Sequence, residues 1–554
     1  MERCLNGEPI PESWREATIW PIHKNGSMKL AENYRGITLS NSIYKLYASI
    51  LNSRLEEFTE RENILQDTQN GFRKMRCTID NIYILNHCVN KSISKGQKLY
   101  AFFVDFRAAF DSIDRPLLFE FLNRVKAPQY LISAITDIYR CTPFKIEENT
   151  FYTEKGLKQG CPLSPLLFAI FLSDLEKTLK NFQSGGVVIG REKIFSLAYA
   201  DDLVLLSERE DDMREMIGAF YRYTVKKKLT VNTSKSKMMV FSRGGRMSKN
   251  KWCFGGSLVE EVKYFKYLGF NFQSSGKYNK HMEAMNIIGK RRVAEVWSLG
   301  ERKFKDNFGI RMQLFNSLIV PSITYGAEIT GWTEFDCLEL TQRRYLRWTL
   351  GLDRGTKKAI LMEETKAIPL YIDTGTKAMK YEERSRNSPC MVLRECLREI
   401  YSSKLQTPSI QSRKQYLNRN GWSDVEINSM CERGESVWGF LRGTDIDCFR
   451  QLQLNKISSS RYSSLQTDRV PWYLQRGRSI KLIARFRCGN EERGDTSWRS
   501  DGSCRVCGVD RETVEHMRAS CCLDERPREL LLNERGQGES WMKEVIKKRK
   551  ALTS

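Results

Sequence analysis

The sequence predicts an α+β fold: a mostly antiparallel sheet with helices packed on one face, followed by a helical region and a small cysteine-rich module. Three observations predict it. From residue 99 to 243 the segments run β, α, α, β, β, α, β, an order that suits an antiparallel sheet backed by helices. From 281 to 351 the pattern turns helical and carries basic clusters, among them Lys290, Arg291 and Arg292, then Arg343 and Arg344. Between 504 and 521, three cysteines and one of the chain's 4 histidines fall close together.

Each element has a local reason. Ile43, Leu46, Tyr47, Ile50, Leu51, Leu55 and Phe58 recur at helical spacing behind a cap at Ser40 or Asn41, which predicts an amphipathic helix. The run "LYAFFVDF" (99–106) is short, apolar and rich in aromatics, as a buried strand is. The next helix opens with Asp114 and Pro116 in the order a helix start prefers. Ser164 and Pro165 open another, with Phe168, Phe171, Leu172, Leu175, Leu179 and Phe182 on its apolar face. "IFSLAYA" and "LVLLS" then flank Asp201 and Asp202 as two strands of a hairpin. Met213, Met216, Ile217, Phe220 and Thr224 mark a further helix, and "KMMVFS" a further strand. From about 356 to 495 the chain is polar, basic and weakly periodic, and predicts only irregular helices.

With 554 residues, 41% hydrophobic and 28% charged, the chain is long enough for several domains. Lys and Arg number 90 against 67 Asp and Glu, and a net charge of +23 points to a polyanionic partner. The longest apolar run, residues 166–172, is far short of the ~20 residues of a membrane span, and the N-terminus lacks the apolar stretch of a signal peptide. The 16 cysteines are mostly scattered, as in a reducing compartment. The expectation is a protein of nucleus or cytoplasm, neither secreted nor membrane-bound.

Asp201 and Asp202 stand side by side within an apolar hairpin. Two carboxylates about 4 Å apart repel by roughly 4 kcal/mol at an effective dielectric near 20, and burial adds desolvation. A divalent cation compensates such a pair, since Mg²⁺ takes hard oxygen ligands. Asp105 ends the other apolar strand, so neighbouring strands would bring a third carboxylate alongside. Because side chains alternate along a strand, Asp201 is expected to face Asp105, with Asp202 depending on how the turn bends. Three converging carboxylates and a basic chain suit two-metal phosphoryl transfer in nucleotide polymerisation.

The segments "YRGITLSNSIYKLYASILNSRL", "QNGFRKMRCTIDNI", "VDFRAAFDSIDR", "GLKQGCPLSPLLFAIFLSDL", "AYADDLVLLS", "LTVNTSKSKMMVFS" and "KYLGFNF" resemble, in order, the successive blocks of reverse transcriptases of non-LTR (LINE-type) retrotransposons. The resemblance spans roughly residues 10–355 and extends more loosely to the cysteine cluster. It implies a right-hand polymerase: partial fingers (1–98), a ferredoxin-like palm (99–275) ending in the "KYLGF" primer grip, a helical thumb (276–355), a basic connector (356–495), and a zinc-knuckle module with a basic tail (496–554).

The implied activity is RNA-directed DNA polymerisation, extending a DNA 3′-hydroxyl on an RNA template with dNTPs. Asp105, Asp201 and Asp202 match the triad that holds two Mg²⁺ ions. Phe110 matches the bulky gate that excludes a ribose 2′-hydroxyl, and Gln159 and Gly160 match the block lining the nascent base pair. Lys24 and Arg35 resemble the fingers residues that contact the incoming triphosphate, and Lys235 resembles a proton donor for pyrophosphate. Gly36 stands where the fingers block more often has proline. Such elements usually encode an endonuclease as well; this chain starts almost at the fingers, so the expectation is a truncated product that polymerises without nicking a target. No ribonuclease H carboxylate set is apparent downstream. Two other readings are a non-catalytic nucleic-acid-binding remnant, which the intact triad argues against, and an RNA-dependent RNA polymerase, which Phe110 disfavours.

Cys504, Cys507, His516 and Cys521 follow a C-x2-C-x8-H-x4-C spacing suited to tetrahedral Zn²⁺, with Gly508 easing the metal-bound turn and Cys522 a competing fourth ligand. So small a module would take much of its folding energy from a structural zinc ion. The resemblance implies that it helps grip template RNA or target DNA. The run "KKRK" (547–550) has the composition of a nuclear address or a phosphate contact, but short basic runs of this kind are most often solvated ends.

Overall fold

All six residues of the Leu99–Val104 strand are buried, which a strand achieves only when both of its faces are covered. The computed structural model describes residues 2–5, 7–24, 26–140, 142–248, 250–402, 405–477, 479–492, 503–521, 524–533 and 537–552. In it Leu99–Val104 is central in a six-stranded sheet ordered Trp252–Phe254, Ser257–Glu261, Lys237–Phe241, Leu99–Val104, Asp202–Ser207, Ser196–Tyr199. Neighbours are antiparallel except Lys237–Phe241 with Ser257–Glu261. The α+β class read from the sequence is therefore the class of the fold.

On one face Tyr100, Phe102 and Val104 join a core built with the helices Arg115–Arg124, Ser164–Phe171 and Glu210–Lys226. On the other, Phe103 stacks on Phe265 with ring centroids 4.3 Å apart, and the helix Thr78–Ser94 is buried along most of its length. Helices on one face alone was the expectation, and it is corrected here. An aromatic run without polar alternation leaves neither face fit for water.

A second sheet is ordered Tyr34–Ser40, Ala17–His23, Pro143–Ile146, Asn149–Tyr152. Residues 143–152, inside the span expected to be palm, thus pair with the N-terminal hairpin, in parallel register at Ala17 and Phe144. The caps form as the residue types require: the Asn41 side chain accepts from the Ile43 amide (2.8 Å), and that of Asp114 from Leu117 (3.0 Å). The helix expected to run on to Phe182 breaks into Ser164–Phe171 and Leu175–Asn181, because the amides of Ser173 and Leu175 bond three residues back, to Ile170 and Leu172.

The chain divides into two compact units, Met1–Lys280 with Arg384–Gln411, and His281–Glu383 with Ser412–Ser554. The stretch expected to be one connector is therefore shared between them. In the first unit Glu399 of the helix Met391–Tyr401 lies 2.7 Å from the His87 ring and accepts from Lys91 (2.6 Å) and from the Gly190 amide (2.7 Å). Burial alone would raise this carboxyl, but those bonds outweigh it and hold it at about 2.

In the second unit well-formed helices replace the irregular ones expected. Their weak apolar periodicity has a cause: buried ion pairs take positions an apolar stripe would fill. Arg413 pairs with Glu382 (2.9 Å) and Arg487 with Glu364 (2.6 Å), all four buried, while Tyr473 donates to Glu364 (2.5 Å). Arg311, also fully buried, lies under the Trp348 ring at 4.0 Å. The basic run at 547–550 lies in the helix Gln537–Ala551, where Arg549 is buried against Glu491 (2.5 Å) and Glu512. Arg549 is thus a structural anchor, while Lys547 and Lys550 of the same run are exposed. Among the described residues no helix is long and apolar enough to cross a membrane.

Candidate active site and metal centre

The sheet register brings the three carboxylates together. Val104 pairs with Leu203, so one step further Asp105 stands opposite Asp202. Tyr199 pairs with Asp202, which leaves Ala200 and Asp201 as the two-residue turn. Asp201, expected to face Asp105 from the strand, thus stands in the turn, where its carboxyl still feels the Asp105 charge. The turn takes up Asp201, and strand alternation resumes only at Asp202.

Three features hold this arrangement. Ala200 has φ +58°, a left-handed conformation unusual for alanine. The turn is clamped by the segment before the helix Thr78–Ser94: Gln69 Oε1 accepts from the amides of Gly71 (2.9 Å) and Ala200 (3.2 Å). Asn70 donates to the Ala198 carbonyl (3.0 Å), and the Ala198 amide donates to Thr68 (2.9 Å). A Cβ on Gly71 would collide with the Ala200 amide nitrogen, so the close approach requires glycine. Third, the loop 232–236 wraps Asp105: the Asn232 amide donates to the Asp105 carbonyl (2.7 Å), the Asp105 amide donates to Ser236 Oγ (3.0 Å), and the Asn232 side chain bonds the carboxylate. Gln69, Gly71, Asn232 and Ser236 went unnoticed as site residues, although all four lie within the quoted blocks "QNGF" and "VNTSKSK".

The electrostatics follow from crowding. Burial and then the charges of Asp201 and Asp105 push the Asp202 carboxyl up to about 6. Asp201 is raised by burial and by Asp105, against a lowering contribution from Arg35. Asp105 is raised by burial, against lowering by Lys235, Asn232 and Lys24. Lys24 and Lys235 are thus close enough to lower Asp105, and Arg35 close enough to lower Asp201. Gln159 donates to both oxygens of Asp111 (2.8 and 2.9 Å), and its carbonyl accepts from the Thr38 amide (2.6 Å). Gly160, at φ +109°, leaves room where a Cβ would stand 3.0 Å from the Thr38 carbonyl. Phe110 is half-buried and stacks on Phe168 with centroids 5.0 Å apart.

In the second unit, one ligand atom from each of Cys504, Cys507, His516 and Cys521 lies within 4.8 Å of the others, so the set could hold a metal ion. His516 Nε2 is 3.1 Å from the Cys507 sulfur and 3.0 Å from that of Cys521, while its Nδ1 is 3.5 Å from Asp510. An outer carboxylate of this kind orients a ligating histidine. Gly508 sits at φ +71° in the turn, and Cys522 lies outside the described residues.

The Asp202 carboxylate has a consequence for stability. Its folded value near 6 exceeds the ~3.9 of an unfolded chain, so stability falls as pH rises from about 4 to 6 and stays reduced above that. Asp202→Asn is therefore expected to raise the melting temperature in Mg²⁺-free buffer at pH 7. The rise is roughly 2 °C, for about 1 kcal/mol after discounting for solvent screening at a carboxylate only partly withdrawn from water. The gain disappears by about pH 4. Melting followed by fluorescence across pH checks it, and an unchanged or lower melting temperature at pH 7 contradicts it.

A family model described as reverse transcriptase (RNA-dependent DNA polymerase) matches residues 22–272, which contain the whole triad and its basic and aromatic neighbours. The RNA-directed DNA polymerase from mobile element jockey of Drosophila melanogaster is 22% identical over 413 residues, covering 70% of this chain and 43% of that protein. The Pol polyprotein from the type-1 retrotransposable element R2 of Popillia japonica is 32% identical over 213 residues, covering 36% of this chain and 35% of that protein. This chain thus spans less than half the length of these relatives. Among solved structures, a telomerase from Candida albicans with a fragment of telomeric RNA aligns at 12% identity and a TM-score of 0.36, covering 72% of this chain and 64% of that one. Residues 22–272 accordingly match a reverse transcriptase model, and the relatives similar to this chain carry the names of mobile and retrotransposable elements.

Proposed function

We propose that this chain is an RNA-directed DNA polymerase of a non-LTR retrotransposon, extending a DNA 3′-hydroxyl on an RNA template with dNTPs. The observation that carries the reading is the convergence of Asp105, Asp201 and Asp202 at adjoining strand ends, within reach of the charges of Lys24, Arg35 and Lys235. The carboxylates fit Mg²⁺: they are hard oxygen donors, and their mutual repulsion is what a divalent cation relieves. Two such ions, once bound, supply Lewis acidity at the attacking and leaving oxygens.

The remaining work falls to side chains. Lys24 and Arg35 bind the incoming triphosphate as a point charge and a fork. Lys235 gives a proton to the departing pyrophosphate. Gln159, fixed by Asp111, and Gly160 line the nascent base pair, and Phe110, backed by Phe168, closes the space a 2′-hydroxyl would need. In domain terms the reading gives fingers at 1–98 joined by 143–152, a palm through 275, a thumb through 355, then the connector and the zinc module. The partners are template RNA and primer or target DNA, met in nucleus or cytoplasm. A binding-only remnant is less favoured, because nothing in the triad or its supports is missing.

Primer extension on poly(rA)/oligo(dT) with dTTP and Mg²⁺ tests the polymerase. Asp201→Asn with Asp202→Asn is expected to cost at least about 10³-fold, and Phe110→Ala to increase ribonucleotide incorporation. Equal activity in wild type and the double variant would falsify the reading.

We further propose that Cys504, Cys507, His516 and Cys521 hold one structural zinc ion. Elemental analysis is expected to give one zinc per chain, and Cys507→Ser to lose it together with protease resistance at 503–521. A zinc-free wild type that resists protease contradicts this.

A further inference from the structure

The family match ends at residue 272, yet the first unit contains a further stretch, Arg384–Gln411, that returns to it from further along the chain. Its helix Met391–Tyr401 packs on the helix Thr78–Ser94 and buries Val392, Leu393, Cys396 and Leu397. That burial explains why the stretch adheres. It does not explain the polar bonds gathered at its leading end, beside the segment that clamps the catalytic turn.

At the start of the helix Met391–Tyr401, Cys390 offers no side-chain cap, and Asp67 takes that place from elsewhere in the chain: its Oδ2 accepts from the Met391 amide (2.7 Å). The Cys390 thiol donates to the Asp67 carbonyl (3.5 Å). Arg384 donates to Asp80 (2.9 Å), which also accepts from the Cys77 amide (2.8 Å) at the start of the helix Thr78–Ser94. Arg76, its side chain only 3% exposed, ties these ends together. Its guanidinium donates to Asp67 Oδ1 (2.8 Å), to the Asp67 carbonyl (2.9 Å) and to Asn70 Oδ1 (2.9 Å), and reaches the Pro389 carbonyl at 3.5 Å. Asn70 is fully buried, and its side chain donates to Asn81, which donates to Tyr267 of the "KYLGF" block (3.2 Å). Residues 68–71 therefore run between two anchors, Asp67 and Asn70, that share one guanidinium, and Asp67 is held in turn by the Met391 amide.

Apolar packing tolerates small slips, whereas a buried fork bonded to a carboxylate, a carbonyl and an amide at once permits one register. Gln69 bonds the Ala200 amide (3.2 Å), so a slip of 68–71 passes directly to the turn that carries Asp201. We propose that Arg76 and the Met391 amide are positioning elements of the polymerising centre, holding 68–71 so that the turn presents Asp201 to the cations. The proposal rests on the polymerase reading for its reaction, and it makes a stretch outside the family match a working part of the centre.

Two variants of the full-length chain remove these bonds. Met391→Pro deletes the amide at the first helical position, where proline is tolerated, behind a residue already extended at φ −78° and ψ 108°. Arg76→Gln removes the fork. Arg73, which donates to the carbonyls of Gln66 (2.9 Å) and Gln69 (3.1 Å), keeps the segment folded in both. On poly(rA)/oligo(dT), each is expected to lower kcat about 10-fold and to raise the Mg²⁺ concentration for half-maximal rate, with KM for dTTP and primer–template affinity within about 2-fold of wild type. Mn²⁺ binding, followed by electron paramagnetic resonance, should weaken in both, and Met391→Ala, which keeps the amide, should restore wild-type values. A merely structural strap would lower the melting temperature and leave the Mg²⁺ and Mn²⁺ dependence of the folded fraction unchanged. That result overturns the proposal, as does a kcat for Met391→Pro equal to that of Met391→Ala; Arg76→Gln decides alone where Met391→Pro is recovered unfolded. The metal titration needs no reaction and so separates the two readings: weakened Mn²⁺ binding in both variants of a chain whose wild type extends no primer sinks the polymerase and not the positioning role.

Discussion

The constraint on which the first unit is organised is mutual repulsion among three carboxylates. Asp105, Asp201 and Asp202 each sit at a higher pKa than a free aspartate, with burial the first cause and, for Asp201 and Asp202, their neighbours' charges adding to it. Left to itself, such a cluster would spread apart, since nothing in its own chemistry favours proximity. The surrounding structure prevents that. The buried Leu99–Val104 strand fixes one carboxylate, its ladder with Asp202–Ser207 fixes the second, and a two-residue turn fixes the third. The energy that holds the acids together comes from the apolar strands on which they are mounted.

The mounting is reinforced from two directions. The Gln69 side chain ties the turn to the segment before the helix Thr78–Ser94, and that helix covers the open face of the sheet. The 232–236 loop ties Asp105 to the neighbouring strand Lys237–Phe241. The blocks "QNGF", "VDFRAAF", "AYADD" and "VNTSKSK" are therefore physically joined: residues from all four meet at one turn and one strand end.

Much of this was legible in the sequence, and what was not has identifiable causes. Element type was plain where an apolar run or a cap stood alone, as at Leu99–Val104 and Asp114. The triad was visible because acidic residues inside apolar runs demand explanation. The turn at Asp201 was not foreseen, because alternation was carried through a residue that the pairing of Tyr199 with Asp202 leaves between the strands. The pairing of 143–152 with the N-terminal hairpin was invisible, since long-range strand pairing leaves no local periodicity. The second unit's helices were hidden for a different reason: pairs such as Arg413 with Glu382 and Arg487 with Glu364 are polar in sequence yet buried in the fold. Arg549 was misread in the same way, because a basic run at a chain end looks solvated until its acidic partners are found elsewhere.

If the carboxylates are held together against their own repulsion for the sake of a cation, the folded chain should bind one without substrate. Titration of the protein with Mn²⁺, followed by the electron paramagnetic resonance signal of the free ion, measures this directly. At least one ion per chain should disappear from the free signal at sub-millimolar concentration, and Asp105→Asn should abolish that binding while the fold remains intact. Binding that is undiminished in Asp105→Asn, or absent from the wild type, would contradict the account.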